Sequence, residues 1–322
     1  MSVEDPPARF QALGAVRRDA AALDALIAPE ARIEKLADGF TWTEGPVWIA
    51  QGSYLLFSDV PQNKMYRWSE ADGISVFLDP SGYDGPQPSP FREPGTNGLI
   101  RGPGNTILAA DHGNRAIARL DLSTKKKTFL ASRYQGKRFN SPNDLVLSRT
   151  GAIYFTDPPY GLEGGNESPA KELPFNGVYR LDPDGTVTLL TDKLAFPNGI
   201  ILSPDEKTLY VAQSDGQRAV IMAYTLKNGR IAGERVFADM TPLVGPANPG
   251  LPDGMAIDRH GNLFATGPGG VHVFAPDGTR LGLISTGTAI ANCTFGEDGR
   301  TLFLTSDKML ARVRTKTVGL GY

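Results

Sequence analysis

One cysteine and three histidines in 322 residues leave little scope for thiol or soft-metal chemistry. An internal disulfide needs two thiols, and a structural zinc site draws on several Cys or His ligands, so the first is excluded and the second disfavoured. Cys293 is expected in a core, the usual place of a free thiol. No apolar run approaches the ~18 residues of a membrane span. Asp19 and Asp24 interrupt the single apolar stretch near the N-terminus, which does not read as a secretory signal and makes a cytoplasmic protein the expectation. Neither charge sign dominates: 33 basic residues face 35 acidic ones, giving a net charge of −2. That balance lacks the basic stripe of a nucleic-acid binder and suits a small-molecule partner.

What is present is turn chemistry. Thirty-seven glycines and 25 prolines, with no low-complexity tract, fit a turn-dense all-β chain. Six short polar turns recur, each followed by a hydrophobic strand, with polar residues at 44, 97, 143, 198, 253 and 292. Their spacings are 53, 46, 55, 55 and 39 residues. A period near fifty with strand-like alternation matches one four-stranded propeller blade. The third repeat shows the meander: Leu145–Leu147, Ile153–Thr156, Gly177–Leu181 and Val187–Leu190, separated by Gly-containing turns or a longer loop.

The expected architecture is therefore an all-β, six-bladed β-propeller spanning 31–322, preceded by an N-terminal helical extension over 1–30. Within that extension Phe10, Leu13, Val16, Ala20, Leu23 and Ile27 are spaced by three or four, which predicts an amphipathic helix over 8–28. The last blade runs out of chain after three strands, and Ala31–Leu36 is expected to complete it and remove a sheet edge. The helix would pad the propeller wall or mediate a dimer, leaving monomer and homodimer both open.

In an up-and-down meander the turns before each innermost strand converge on one mouth of the central channel. The irregular segments 79–96, 157–176 and 240–251 fall at the same mouth. Loops gathered on one face of a rigid scaffold are where binding sites tend to lie. Four of the turns supply Glu44, Asn143, Asn198 and Asp253, two carboxylates and two amides. Hard oxygen donors with a combined charge near −2 suit a divalent hard cation, Ca²⁺ first, with Mg²⁺, Mn²⁺ or Zn²⁺ as alternatives.

Glu44-Gly45-Pro46-Val47-Trp48, Ser141-Pro142-Asn143-Asp144, the run from Tyr154 to Gly161, Phe196-Pro197-Asn198-Gly199 and Pro252-Asp253-Gly254-Met255-Ala256 resemble the signatures of the SMP-30/gluconolactonase/luciferin-regenerating-enzyme family. The likeness extends from Ile33 to about Val313. It implies a six-bladed propeller, one divalent ion at the channel mouth held by Glu44, Asn143, Asn198 and Asp253, and hydrolysis of sugar lactones such as D-glucono-1,5-lactone. Vertebrate members carry an Arg two residues before the third-motif Asn to orient the sugar, whereas Ser141 stands there in this chain.

Lactone hydrolysis needs an electrophile at the carbonyl and a base for the attacking water. Asp253 is the expected general base, with Asp157, at the end of a strand facing the mouth, as the alternative. Asn97, His112, Arg115 and Asn143 are the candidate substrate contacts. His260 lies in a turn at the far end and His272 within a strand, so neither supports a triad. The segment Ala212-Gln213-Ser214-Asp215-Gly216 is a poor nucleophile elbow, with Ala first and no following helix. Two other functions share the scaffold: phosphotriester hydrolysis at the same ion, and a non-enzymatic binding propeller.

Overall fold

The computed structural model of the chain describes residues 9–321 except residue 88. Six antiparallel sheets form a ring. Blade 1 comprises Thr43–Ile49, Tyr54–Asp59, Lys64–Ser69 and Gly73–Leu78. Blades 2, 3 and 4 repeat the meander from Thr96–Arg101, Leu145–Leu147 and Pro197–Leu202 outward, and blade 5 from Met255–Ile257. Blade 6 uses Asn292–Gly296, Thr301–Ser306 and Met309–Arg314, and its fourth strand is Ile33–Asp38, paired antiparallel with Met309–Arg314. Two ends of the chain therefore share one sheet, so opening the ring would break a ladder.

The inner strands are buried along nearly their whole length because each sheet packs both faces against neighbouring blades. Trp48 of blade 1 stacks on Phe303 of blade 6 with centroids 5.5 Å apart, beside fully buried Leu55, Phe57 and Leu310. Burying each such side chain stabilises the fold by about 2 kcal/mol. Arg312 adds a polar clamp on the outside of this seam, reaching Glu34, Glu70 and Glu297.

The expected helix over 8–28 is not there. Gln11–Leu13 and Ala15–Arg18 are strands, followed by a 3-10 turn at Ala21–Ala25; Ala8 lies outside the described residues. The first strand adds to blade 6 beside Ile33–Asp38 and the second to blade 5 beside Arg280–Ser285, so each of these blades has five strands. The apolar residues that suggested a helix still pack inward: Leu23 and Ile27 are fully buried between the blades, with Leu13, Val16 and Ala20 against them. Open sheet edges offered ladder hydrogen bonds to the backbone, and Gly14 defeats the helix by its own conformation. It sits at φ +59°, and a Cβ there would lie 1.9 Å from the Ser285 carbonyl oxygen. Gly14→Ala is accordingly expected to destabilise the protein by about 2 kcal/mol and to speed amide exchange over 11–18, with blades 2 to 4 unchanged; uniform exchange across the ring would overturn the role.

Candidate active site

The polar turns sit where the innermost strands enter the ring, and three of them are bulged. The ladder skips between Glu44 and Val47, between Thr96 and Leu99, and between Pro197 and Ile200. A bulge frees the intervening residues from pairing, and at the second and third bulges these include Asn97 and Asn198, which line the cavity at the mouth. Close blade contact explains the glycine that follows: a Cβ on Gly199 would stand 2.1 Å from the carbonyl oxygen of Asp253 in the next blade.

Around the mouth lies a cavity of about 660 Å³. Glu44, Asn97, Asn143, Asn198 and Asp253 all line it, from five blades or the turns that enter them. The amides form a chain. Asn97 Nδ2 donates to Asn143 Oδ1 at 2.8 Å, Asn143 Nδ2 to Asn198 Oδ1, and Asn198 Nδ2 to Ser214 Oγ at 2.9 Å. Ser214 in turn donates to the Pro252 carbonyl, beside Asp253. Each amide oxygen keeps a second lone pair for a ligand.

Glu44 accepts from the Gly45 amide at 2.9 Å and from Asn292 Nδ2 at 3.2 Å, both on Oε2. Asn292, the polar residue of the sixth turn, therefore orients Glu44. Asp253 Oδ1 is enclosed without a hydrogen-bond partner. Burial pushes the Glu44 carboxyl up to about 8, with Asp144 and Glu93 adding repulsion. Asp253 is raised well above the ordinary range by burial and then by Glu44, Asp144 and Glu93. Arg92 is the one Arg or Lys among the described residues lining the cavity, and it is paired with Glu93. Two crowded carboxylates, one with an orphaned oxygen and neither with a cationic partner, flanked by amide oxygens, fit a hard divalent cation. No cluster of three or more His, Cys, Asp or Glu with ligand geometry occurs among the described residues, so such an ion would need the amides.

The remaining expected residues lie behind this shell. His112 is fully buried, its Nε2 3.4 Å from Asn97 Nδ2. Arg115 is outside the cavity lining: its Nε donates to the carbonyls of Phe139 and Asn140 at 2.5 and 3.1 Å. Asp157 is also behind the wall, accepting the Asn140 amide at 2.8 Å, with burial raising its carboxyl to about 7. Sequence reasoning missed Arg92, Glu93 and Tyr160 as cavity-lining side chains. Their segments had been marked as long loops at the mouth, but nothing in loop composition shows which residue turns inward. Cys293 is buried as expected, and His260 is exposed while His272 is buried in its strand.

A family model described as the SMP-30/gluconolactonase/LRE-like region matches residues 42–308. The chain belongs to this family. It is 47% identical over 312 residues to a gluconolactonase of Zymomonas mobilis, covering 95% of this chain and 88% of that protein. A pentonolactonase of Haloferax volcanii is 25% identical, with 79% and 77% covered. The solved structure of a gluconolactonase from Xanthomonas campestris superposes with a TM-score of 0.81 at 35% identity, covering 97% of this chain and 99% of that one. The family match runs from the start of blade 1 into blade 6, and the five cavity-lining positions fall inside the matched region. No helix among the described residues is long and apolar enough to cross a membrane.

Proposed function

We propose that this protein is a carboxylic ester hydrolase that opens sugar lactones, D-glucono-1,5-lactone first among them, with the help of one divalent ion. The observation that carries the reading is the pair Glu44 and Asp253, a buried and a half-buried carboxylate in one cavity, with no cationic side chain to neutralise them. Similarity to lactone-opening relatives supports the substrate class.

Glu44, Asn143, Asn198 and Asp253 would hold the ion, Ca²⁺ by donor type, with Mg²⁺, Mn²⁺ or Zn²⁺ as alternatives. Such an ion, when bound, polarises a carbonyl oxygen and acidifies water. The protein's own groups do the rest. Asn292 and the Gly45 amide fix Glu44, and Ser214 fixes Asn198. Asp253 takes a proton from the attacking water as the water oxygen bonds to the carbonyl carbon; when the bond between that carbon and the ring oxygen breaks, the proton passes from Asp253 to the ring oxygen, which leaves as a hydroxyl. Asp253 is favoured over Asp157 as the base because it faces the cavity, whereas Asp157 spends Oδ2 on a backbone amide behind the wall. Asn97 and Asn143 are in place to contact substrate, and His112 to support Asn97.

A pH-indicator assay over aldonolactones, acyl-homoserine lactones and organophosphates, with EDTA and with each divalent ion, tests the reading. Metal-dependent aldonolactone turnover is expected. Organophosphate turnover without lactone turnover would overturn it in favour of a phosphotriesterase, and no turnover with no stoichiometric ion would leave a binding propeller.

A further inference from the structure

One wall of the cavity is built by the loop between blades 1 and 2, and that loop is anchored at several points. The Tyr83 amide donates to the Pro94 carbonyl at 2.8 Å and the Gly95 amide to Val60 at 3.0 Å. Phe91 forms a β-bridge with Leu162 of the blade 3 loop, and the Glu93 amide reaches Gly161 at 3.5 Å. Between these anchors Arg92 and Glu93 face the cavity.

Glu93 is hydrogen-bonded at one oxygen and has His112 beside the other. Arg92 Nη2 donates to Oε1 at 2.7 Å, and His112 Nδ1 stands 3.4 Å from Oε2, too far for a strong hydrogen bond. Its side chain is 17% exposed, against 55% for Arg92. Burial alone would raise this carboxyl, but His112 and then Arg92 outweigh it and hold it below the usual carboxylate range. His112 stands between this carboxylate and Asn97, the first member of the amide chain at the mouth.

An ionised carboxylate has about four acceptor sites, so Glu93 retains acceptors beyond the two contacts that place it. Arg92 retains donors. Trp42, Val244, Leu251 and Ile290 supply apolar wall elsewhere in the cavity. A donor and an acceptor side by side match a vicinal diol, whose hydroxyls both give and take hydrogen bonds. An alkyl chain in the same place would strip water from a carboxylate and return nothing, the arrangement by which polar sites reject analogues lacking a hydroxyl.

We infer that Glu93, positioned by Arg92 and His112, binds the hydroxyls of the lactone ring and selects polyhydroxylated lactones over alkyl ones. This rests on the lactonase reading and adds the residue that sets substrate class, filling a task for which position 141 offers only a serine whose hydroxyl is spent on the Pro158 carbonyl.

The test compares D-glucono-1,5-lactone with δ-valerolactone, the same six-membered ring without hydroxyls. In Glu93→Gln the ratio of kcat/KM for the first substrate to that for the second is expected to fall about tenfold or more, with the loss on gluconolactone carried by KM. Glu93→Asp should recover part of it. Arg92→Leu, at a more exposed position, should move the ratio the same way by a smaller factor and serves if Glu93→Gln does not fold. An unchanged ratio in a folded variant, or equal losses on both lactones, would overturn the assignment of Glu93 while leaving the lactonase intact. If the wild-type protein hydrolyses neither lactone, the lactonase reading itself falls, and this inference with it.

Discussion

Asp253→Asn is expected to lower lactone turnover by about 10²- to 10⁴-fold, the range that a positioned general base contributes. Asn keeps the volume and one oxygen for an ion but cannot accept the water's proton. Titration calorimetry with Ca²⁺ beside the kinetics separates the two roles of this residue. Retained ion binding with lost turnover assigns the base; loss of both makes Asp253 chiefly a ligand; near-normal turnover with the ion bound refutes the base assignment and returns Asp157 to consideration. Asp157→Asn should leave turnover much less affected, because that carboxylate lies behind the cavity wall, with Oδ2 on the Asn140 amide.

Removing divalent ions should abolish turnover, and the effect of restoring them should depend on pH in a set direction. With no ion bound, burial raises Glu44 from 4.5 to about 8, and Asp253 is raised as well. Between those pH values the folded protein holds more protons than the unfolded chain. The stability contributed by a protonated Glu44 is complete below about 4.5 and is lost as pH rises toward 8. Ion binding needs the ionised carboxylates, so it competes with those protons and strengthens over the same interval. The rise in Tm on adding Ca²⁺ should be larger at pH 8.5 than at pH 6, and ion binding at pH 7 should release protons. A Ca²⁺-induced Tm shift independent of pH would show that Glu44 is not part of the ion site.

Much of the fold was legible because propeller blades repeat. The roughly fifty-residue spacing of Glu44, Asn97, Asn143, Asn198 and Asp253 reports blade length directly, and the short hydrophobic strands between turns report the meander within each blade. The N-terminal segment was misread for a physical reason. Leu13, Val16, Ala20, Leu23 and Ile27 are apolar at helical spacing, yet periodicity does not register that two sheet edges stand nearby or that Gly14 must pass 1.9 Å, at its missing Cβ, from a carbonyl. Tertiary pairing overrode a marginal local preference.

The candidate site divides in the same way. Oxygen-donor chemistry at 44, 143, 198 and 253 follows from residue type and from topology, since turns before innermost strands must meet at the axis. Arg92, Glu93 and Tyr160 lie in loops whose direction depends on anchors such as the Phe91–Leu162 bridge, formed between segments about seventy residues apart. Asn292 holds Glu44 from the far end of the chain, a pairing that neither residue type nor spacing marks. The sequence by itself determined the ring, its closure and the kind of atom presented at its mouth, because those depend on local pattern repeated six times. Tertiary structure alone decided which carboxylates are crowded, which oxygen lacks a partner and which loop residue turns inward, because desolvation and contact exist only once distant segments exclude water together.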